Sequence, residues 1–322
     1  MKYKFLPFLS HFVICVFGLS LPTKLYSIIR RMEMLLDGGL STALEELGSD
    51  LKTSLWSGEL LKSAPKQIRL AHEAYASAGA KILISSSYQI SYPGCNARGW
   101  TDAEVDNALQ LSTQLARFEN TKVAASIGPY GAYLANGAEF CGNYGLSIDE
   151  LKDFHRKRLD VLMSTNPDFL AIETIPELTE ARAIIELIEE RSDSIIIPYW
   201  VSFSCKDGCH LNSGENFADA VKLVEEIAKN AIAVGVNCTN PAYITSLLSC
   251  AQCALPFIVY PNAGGTWNAE TKELEGAVKG FTEQQIQQWR ERGASIIGGC
   301  CGIGPKEIAA IANSICAPCK EK

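Results

Sequence analysis

The sequence predicts a single-domain (β/α)8 barrel, and three observations carry that prediction. Eight short apolar runs rich in β-branched residues recur along the 322-residue chain. Segments of helical period separate most of them. The turn after the first run reads "LLDGGLST" and lacks the G-x-G-x-x-G fingerprint that would favour the runner-up, a doubly wound sheet. Eight alternating units in roughly 290 residues suit a closed barrel. No Pro/Gly/Ser-rich linker divides them.

The runs are "EMLLDG" at 33–38, "AKILISSS" at 80–87, "KVAASIG" at 122–128 and "FLAIET" at 169–174. "IIIPYWVSFS" at 195–204, "AIAVGVN" at 231–237, "FIVYPN" at 257–262 and "SIIGG" at 295–299 complete the set. Helices are expected over 66–79, 102–119, 147–164, 177–191, 216–229 and 281–292. Asp102 and Ser147 stand where N-caps belong, each followed by acidic residues in the first turn. Residues 39–65 form a long link that reads as a lid or rim element.

Composition narrows the function. The chain is 47% hydrophobic and 20% charged, with a net charge of -7, which argues against a nucleic-acid surface and leaves small molecules or proteins as partners. No membrane partner is expected. The first residues, "MKYKFLPFLSHFVICVFGLSL", have the basic start and apolar stretch of a secretory leader, without a clear cleavage site. Residues 1–31 are read as a leader or an extension outside the fold, and 32–322 as the barrel domain. Twelve cysteines dispersed through a chain of this length read as reduced thiols plus a metal site, in a cytoplasmic protein, rather than as a disulfide framework.

In a (β/α)8 barrel, chemistry collects where strands end. The strand ends here are Asp37, Ser86 to Tyr88, Ser126, Glu173, Ser204/Cys205, Asn237/Cys238, Asn262 and Cys300/Cys301. Adjacent cysteines make poor disulfide partners for each other, but two thiolates can grip one soft metal ion. Cys238, from the sixth strand, is the natural third ligand. Three thiolates on zinc leave one tetrahedral position open, the mark of a catalytic site. Gly298, Gly299 and Gly302 fit a tight bend around the pair. The competing reading makes Cys238 a buried small hydrophobe and the pair incidental. The "CAQC" (Cys250, Cys253) and "CAPC" (Cys316, Cys319) pairs read as packing or surface thiols, the first at the end of the barrel away from the mouth.

Asp37 and Glu173 both face the mouth on this reading, which suits binding of an ammonium group; the competing reading is a cap or loop ion pair. None of the four histidines falls at a strand end, so histidine acid–base chemistry is disfavoured.

With these residues in hand, the chain resembles the zinc-dependent homocysteine S-methyltransferase family. The resemblance runs from Leu35 to about Ile311 and rests on "LLDGGLSTALE", "DLKTSLWSGELL", "SIGPYGAYLANGAEF", "AIETIPE", "SFSCKDGCHLNSGE", "VGVNCTNP", "YPNAGG" and "IIGGCCG". It implies that Cys238, Cys300 and Cys301 hold one zinc ion. It implies also that Asp37, Glu173 and the Gly38 backbone hold the amino-acid end of homocysteine. Tyr88, Asn237 and Asn262, at strand ends, are read as further substrate contacts. "SSSYQ", "PNAGG" and Asn143 in "FCGNYG" depart from the family pattern, and these positions bear on donor recognition.

The implied reaction moves a methyl group from S-methylmethionine, or S-adenosylmethionine, to homocysteine, giving methionine. Betaine and selenocysteine variants on the same barrel are the alternatives. A zinc-stabilised binding protein and a secreted disulfide protein are the rivals from other classes. Betaine-using relatives carry a C-terminal arm for oligomerisation, whereas twenty-one residues follow Cys301 here, so a monomer is expected. Tyr88, Tyr130 and Trp267 are candidates for cation–π contact with an onium donor.

Overall fold

The computed structural model describes residues 34–191, 196–268, 273–276 and 280–316; the expected leader lies outside them. Eight parallel strands form the sheet: β1 (Met34–Leu35), β2 (Ile82–Ile84), β3 (Lys122–Ile127), β4 (Phe169–Ile175), β5 (Tyr199–Phe203), β6 (Ala231–Asn237), β7 (Phe257–Tyr260) and β8 (Ala294–Ile297). Their order around the sheet is β1-β8-β7-β6-β5-β4-β3-β2. A parallel bridge between Leu36 and Ile82 joins the two ends. The expected barrel is therefore present, and each of the eight apolar runs supplies one strand.

One helix follows each strand and packs outside the sheet: α1 (Pro65–Ser77), α2 (Asp102–Leu115), α3 (Ile148–Ser164), α4 (Leu178–Glu189), α5 (Phe217–Ile227), α6 (Pro241–Cys250), α7 (Glu283–Glu291) and α8 (Pro305–Cys316). Ser147 caps α3 as expected, in a reciprocal box with Glu150. For α2 the cap is Thr101 rather than Asp102. Thr101 accepts from the Glu104 N–H while the Glu104 carboxylate returns to the Thr101 N–H, and Asp102 becomes the first helical residue.

The strands read as apolar runs because both faces are buried. Outward side chains pack under the helices. Inward ones fill the barrel: Leu36, Ile82, Ile232, Ile258 and Ile296, with Trp200 and Tyr260 as its largest members. Ala124, Ala171 and Ala233 share that interior, and their small size leaves room for the Trp200 indole, whose N–H donates to Tyr260 Oη at 3.0 Å. The barrel interior is thus a packed plug, and ligands are confined to its mouth.

The 39–65 link folds into a short helix (Leu40–Glu46), a 3-10 turn (Trp56–Glu59) and one helical turn (Leu60–Ser63) on the rim. An antiparallel hairpin pairs Thr266–Asn268 with Glu273–Glu275. Trp267 lies on it, and its side chain is outside the described residues. Among the described residues, no helix is long and apolar enough to cross a membrane.

Candidate active site

The C-terminal ends of the strands build a mouth containing a cavity of about 120 Å³. Asp37, Gly38, Tyr88, Glu173, Asn237 and the three cysteines Cys238, Cys300 and Cys301 all line it. Asn262 does not; it lines a neighbouring cavity of about 330 Å³ that shares Phe140, Cys238 and Cys301 with the first.

Asp37 follows β1 by two residues and is 2% exposed. Its Oδ2 accepts from the Ile84 N–H at 2.8 Å, while its Oδ1 is buried without a partner. Gly38 follows at a point where a Cβ would collide with the Ile303 carbonyl and the Tyr75 ring, so only glycine brings the backbone this close. From β2, Ser85 and Ser87 bond each other at 2.8 Å and tie into β3, but Ser86 Oγ is buried and unpartnered. Buried polar atoms without partners are uncommon, and these two face the same cavity.

Glu173 lies two residues before the end of β4, accepting from Ser126 Oγ and from the Tyr260 hydroxyl. Burial raises its carboxyl to about 7, against the pull of those two hydrogen bonds. Burial also lifts Asp37 well above the ordinary range, with the Glu173 charge adding to it. Two desolvated carboxyls whose ionisation is disfavoured define a place for a cation.

The three sulfurs line the same cavity. The strand β6 ends in Cys238 with φ 46, its N–H held by the Tyr260 carbonyl at 3.3 Å. After β8, Cys300 N–H donates to the Pro261 carbonyl and Cys301 accepts from Ala263 N–H, each at 2.8 Å. Gly302 makes the turn at φ 79, and its N–H donates to Thr42 Oγ1 at 2.9 Å. Cys301 Sγ lies 3.7 Å from Cys238 Sγ and 4.0 Å from Cys300 Sγ. Three zinc-bound sulfurs at about 2.3 Å from the metal stand about 3.8 Å apart in a tetrahedron, so the spacing of Cys301 to both others fits one ion. Cys238 and Cys300 are joined as a disulfide, with Cα atoms 5.5 Å apart. This departs from the expectation of two free sulfurs at these positions. Thiols placed to share one ion are also near enough to bond each other. All three ligand atoms fall within 4.8 Å of one another, with no fourth His, Cys, Asp or Glu in the group among the described residues. Burial, with the carboxylates of Glu45, Glu139 and Glu173 adding, pushes the Cys301 thiol up to about 11, so its thiolate needs a cation beside it.

The structure adds residues that the sequence did not single out. Trp56 and Glu139 line the first cavity, and Glu139 Oε2 is a third buried, unpartnered acceptor. Each comes from a 3-10 turn in a rim segment, where no periodic signal marks a contact. Tyr130 instead packs in an aromatic cluster with Tyr133, Tyr144 and Phe154. The Cys250 thiol meets Cys209, because the loop after β5 folds down along α6 and brings Gly208 onto Ser246. Cys253 turns away to Glu225. The CAQC pair therefore does not converge on one point, and Cys319 lies outside the described residues.

These features define a class: a parallel (β/α)8 barrel whose mouth joins a metal-competent set of three sulfurs to a carboxylate-lined pocket. A family model described as homocysteine S-methyltransferase matches residues 34–315. Homocysteine S-methyltransferase 1 of Zea mays is 42% identical over 303 residues, covering 86% of this chain and 93% of that protein. Homocysteine S-methyltransferase YbgG of Bacillus subtilis is 41% identical, covering 88% and 95%. The metallated form of the homocysteine methyltransferase MmuM from Escherichia coli superposes with a TM-score of 0.78 at 33% identity, covering 89% of this chain and 98% of that one. Its oxidized form also gives 0.78, at 34% identity and 90% and 98% coverage. The chain belongs to the homocysteine S-methyltransferase family.

Proposed function

We propose that this protein methylates the sulfur of L-homocysteine from a sulfonium donor, S-methylmethionine first and S-adenosylmethionine second, forming methionine. The observation that carries the reading is the meeting of three sulfurs within 4.8 Å of one another with buried, unpartnered acceptors at Asp37 Oδ1 and Glu139 Oε2 in one cavity.

One zinc ion per chain, held by Cys238, Cys300 and Cys301, would supply an open coordination position and the charge that keeps a substrate thiol ionised near neutral pH. The chain's own residues do the rest. Asp37 and Glu173 receive the ammonium of homocysteine. Ser86 Oγ, buried without a partner, and the Gly38 backbone meet its carboxylate. Tyr88 and Trp56 wall the cavity and exclude water that would solvate the nucleophile. The substrate thiolate attacks the donor's methyl carbon as the old carbon–sulfur bond breaks, and its electron pair leaves on a neutral thioether. No proton has to be delivered to that leaving group. This agrees with the described lining, which contains no histidine, while His72 and His155 are fully buried elsewhere.

Three reduced sulfurs suit a reducing compartment, the cytoplasm, with residues 32–322 as the working domain. The test is methionine formation from homocysteine by zinc-loaded protein, with S-methylmethionine, S-adenosylmethionine and betaine compared at fixed homocysteine. Strong transfer from S-methylmethionine that a chelator abolishes is expected. Betaine as the best donor overturns the donor assignment, and no transfer from any of the three overturns the activity.

A further inference from the structure

The two cavities that share Cys238 and Cys301 are opposite in polarity. The described lining of the first carries the carboxylates of Asp37, Glu139 and Glu173 and no lysine or arginine. The second, of about 330 Å³, is lined by Lys206, Asn212, Asn240 and Asn262, and none of its described lining residues is acidic.

The local bonding makes this second cavity a set of donors. Asn240 Oδ1 accepts from the Ala242 N–H at 3.0 Å as it caps α6. Asn262 Oδ1 accepts from the Gly264 N–H at 2.9 Å. With both carboxamide oxygens committed to backbone, the two Nδ2 groups are what each side chain still offers. The N-terminus of α6 adds its own partial positive charge on the same wall. Lys206 follows β5, and its ammonium has no ion pair among the described residues. A lysine amid amide donors is a receptor for a carboxylate.

We propose that Lys206, with the Asn240 and Asn262 amides, anchors the carboxylate of a zwitterionic onium methyl donor, and so selects donors that carry one. This rests on the methyl-transfer reading above and deepens it. Homocysteine occupies the acidic cavity by its ammonium, the donor occupies the basic cavity by its carboxylate, and the donor's cationic centre falls between them beside the shared sulfurs. The same carboxylate chemistry is offered by S-methylmethionine and by betaine, so the donor series must separate them. In either case the methyl carbon bonds to the homocysteine sulfur while its bond to the onium atom breaks. The donor loses its positive charge and the thiolate its negative one.

The test compares wild type, Lys206→Met and Lys206→Arg with three donors: S-methylmethionine, betaine, and (3-aminopropyl)dimethylsulfonium, which keeps the sulfonium and amine but lacks the carboxylate. Lys206 is exposed, so folding is not at stake, and donor binding is read by calorimetry as well as by turnover. Lys206→Met is expected to lower kcat/KM for the better carboxylated donor about tenfold, through KM, as befits one charge-assisted hydrogen bond. Calorimetric affinity should fall in parallel and the homocysteine KM should stay put. Lys206→Arg should recover most of the loss, and the loss should shrink to less than about twofold for the carboxylate-free donor. An equal loss for carboxylated and carboxylate-free donors, or no loss at all, overturns the proposal while leaving the activity standing. Wild-type protein that transfers methyl from none of them overturns both together.

Discussion

The carboxamide of Asn237 holds Thr174 from both sides: its Nδ2 donates to Thr174 Oγ1, and its Oδ1 accepts from Thr174 N–H, each at 2.7 Å. Ser202 Oγ donates to the same Oδ1 at 2.9 Å. Thr174 sits at φ 60, a region that costs a β-branched residue on the order of 1–3 kcal/mol. The clamp maintains that conformation and with it the direction of Glu173, the preceding residue. Asn237 itself precedes Cys238, so one side chain fixes the carboxylate end and the sulfur end of the pocket relative to each other.

Asn237→Ala should therefore act on both ends at once. Removing three buried hydrogen bonds should cost about 2–4 kcal/mol of stability, offset in part as Thr174 relaxes. Urea unfolding should show it, together with a raised homocysteine KM. A normal KM in folded variant would mean that Glu173 is positioned without this clamp.

Zinc content separates the sulfurs by role. Wild type is expected to hold about one zinc per chain, and Cys238→Ser, Cys300→Ser and Cys301→Ser should each lose it. Cys250→Ser should keep it, since its thiol faces Cys209. Metal analysis decides the assignment, and full retention in any of the first three variants removes that residue from the set.

Thiol chemistry gives a second, activity-free view. Metal-stripped protein under air should lose two titratable thiols, and peptide mapping should find the Cys238–Cys300 bridge and no Cys300–Cys301 bridge. Zinc loading should protect all three sulfurs from alkylation. Bridging of Cys301 to either neighbour as the main product would contradict the arrangement.

The raised Glu173 carboxyl sets a pH dependence. An ammonium needs the ionised form, and burial lifts this group to about 7. The homocysteine KM should rise about eightfold from pH 7.5 to 6, with a flatter profile in Glu173→Gln. The stability effect has the opposite sign. Between the ordinary value of 4.5 and about 7 the folded chain binds more protons than the unfolded one, so stability falls as pH rises through that window. The ligand-free Glu173→Gln variant should thus be more stable than wild type at pH 8, by up to about 3 kcal/mol, with no such advantage below pH 4.5. Denaturant melts at the two pH values check the sign.

The barrel was legible because strands buried on both faces leave unbroken apolar runs, and their ends can be read residue by residue. That rule leads from "FLAIET" to Glu173 and from "GVNC" to Cys238 without any contact being known. It fails where tertiary structure delivers a side chain from an aperiodic segment, as with Trp56 and Glu139 on the rim. It is silent too on how a polar strand-end residue is used: Asn237 lines the pocket, yet its amide is engaged by Thr174 and Ser202. The contact between Cys209 and Cys250 joins two segments that sequence motifs keep apart, because only the fold of the loop over α6 brings them together.

Among the described residues, the ring of strands closes between β1 and β2 through a single bridge, Leu36–Ile82, and just beyond it Asp37 Oδ2 accepts from the Ile84 N–H. The thinnest joint of the barrel is thus stapled by the carboxylate proposed to receive the substrate. A bound ammonium holds Asp37 ionised and so strengthens its grip on that amide. Hydrogen exchange at Ile84 should slow when homocysteine fills the pocket, making this one backbone proton a gauge of both occupancy and barrel closure.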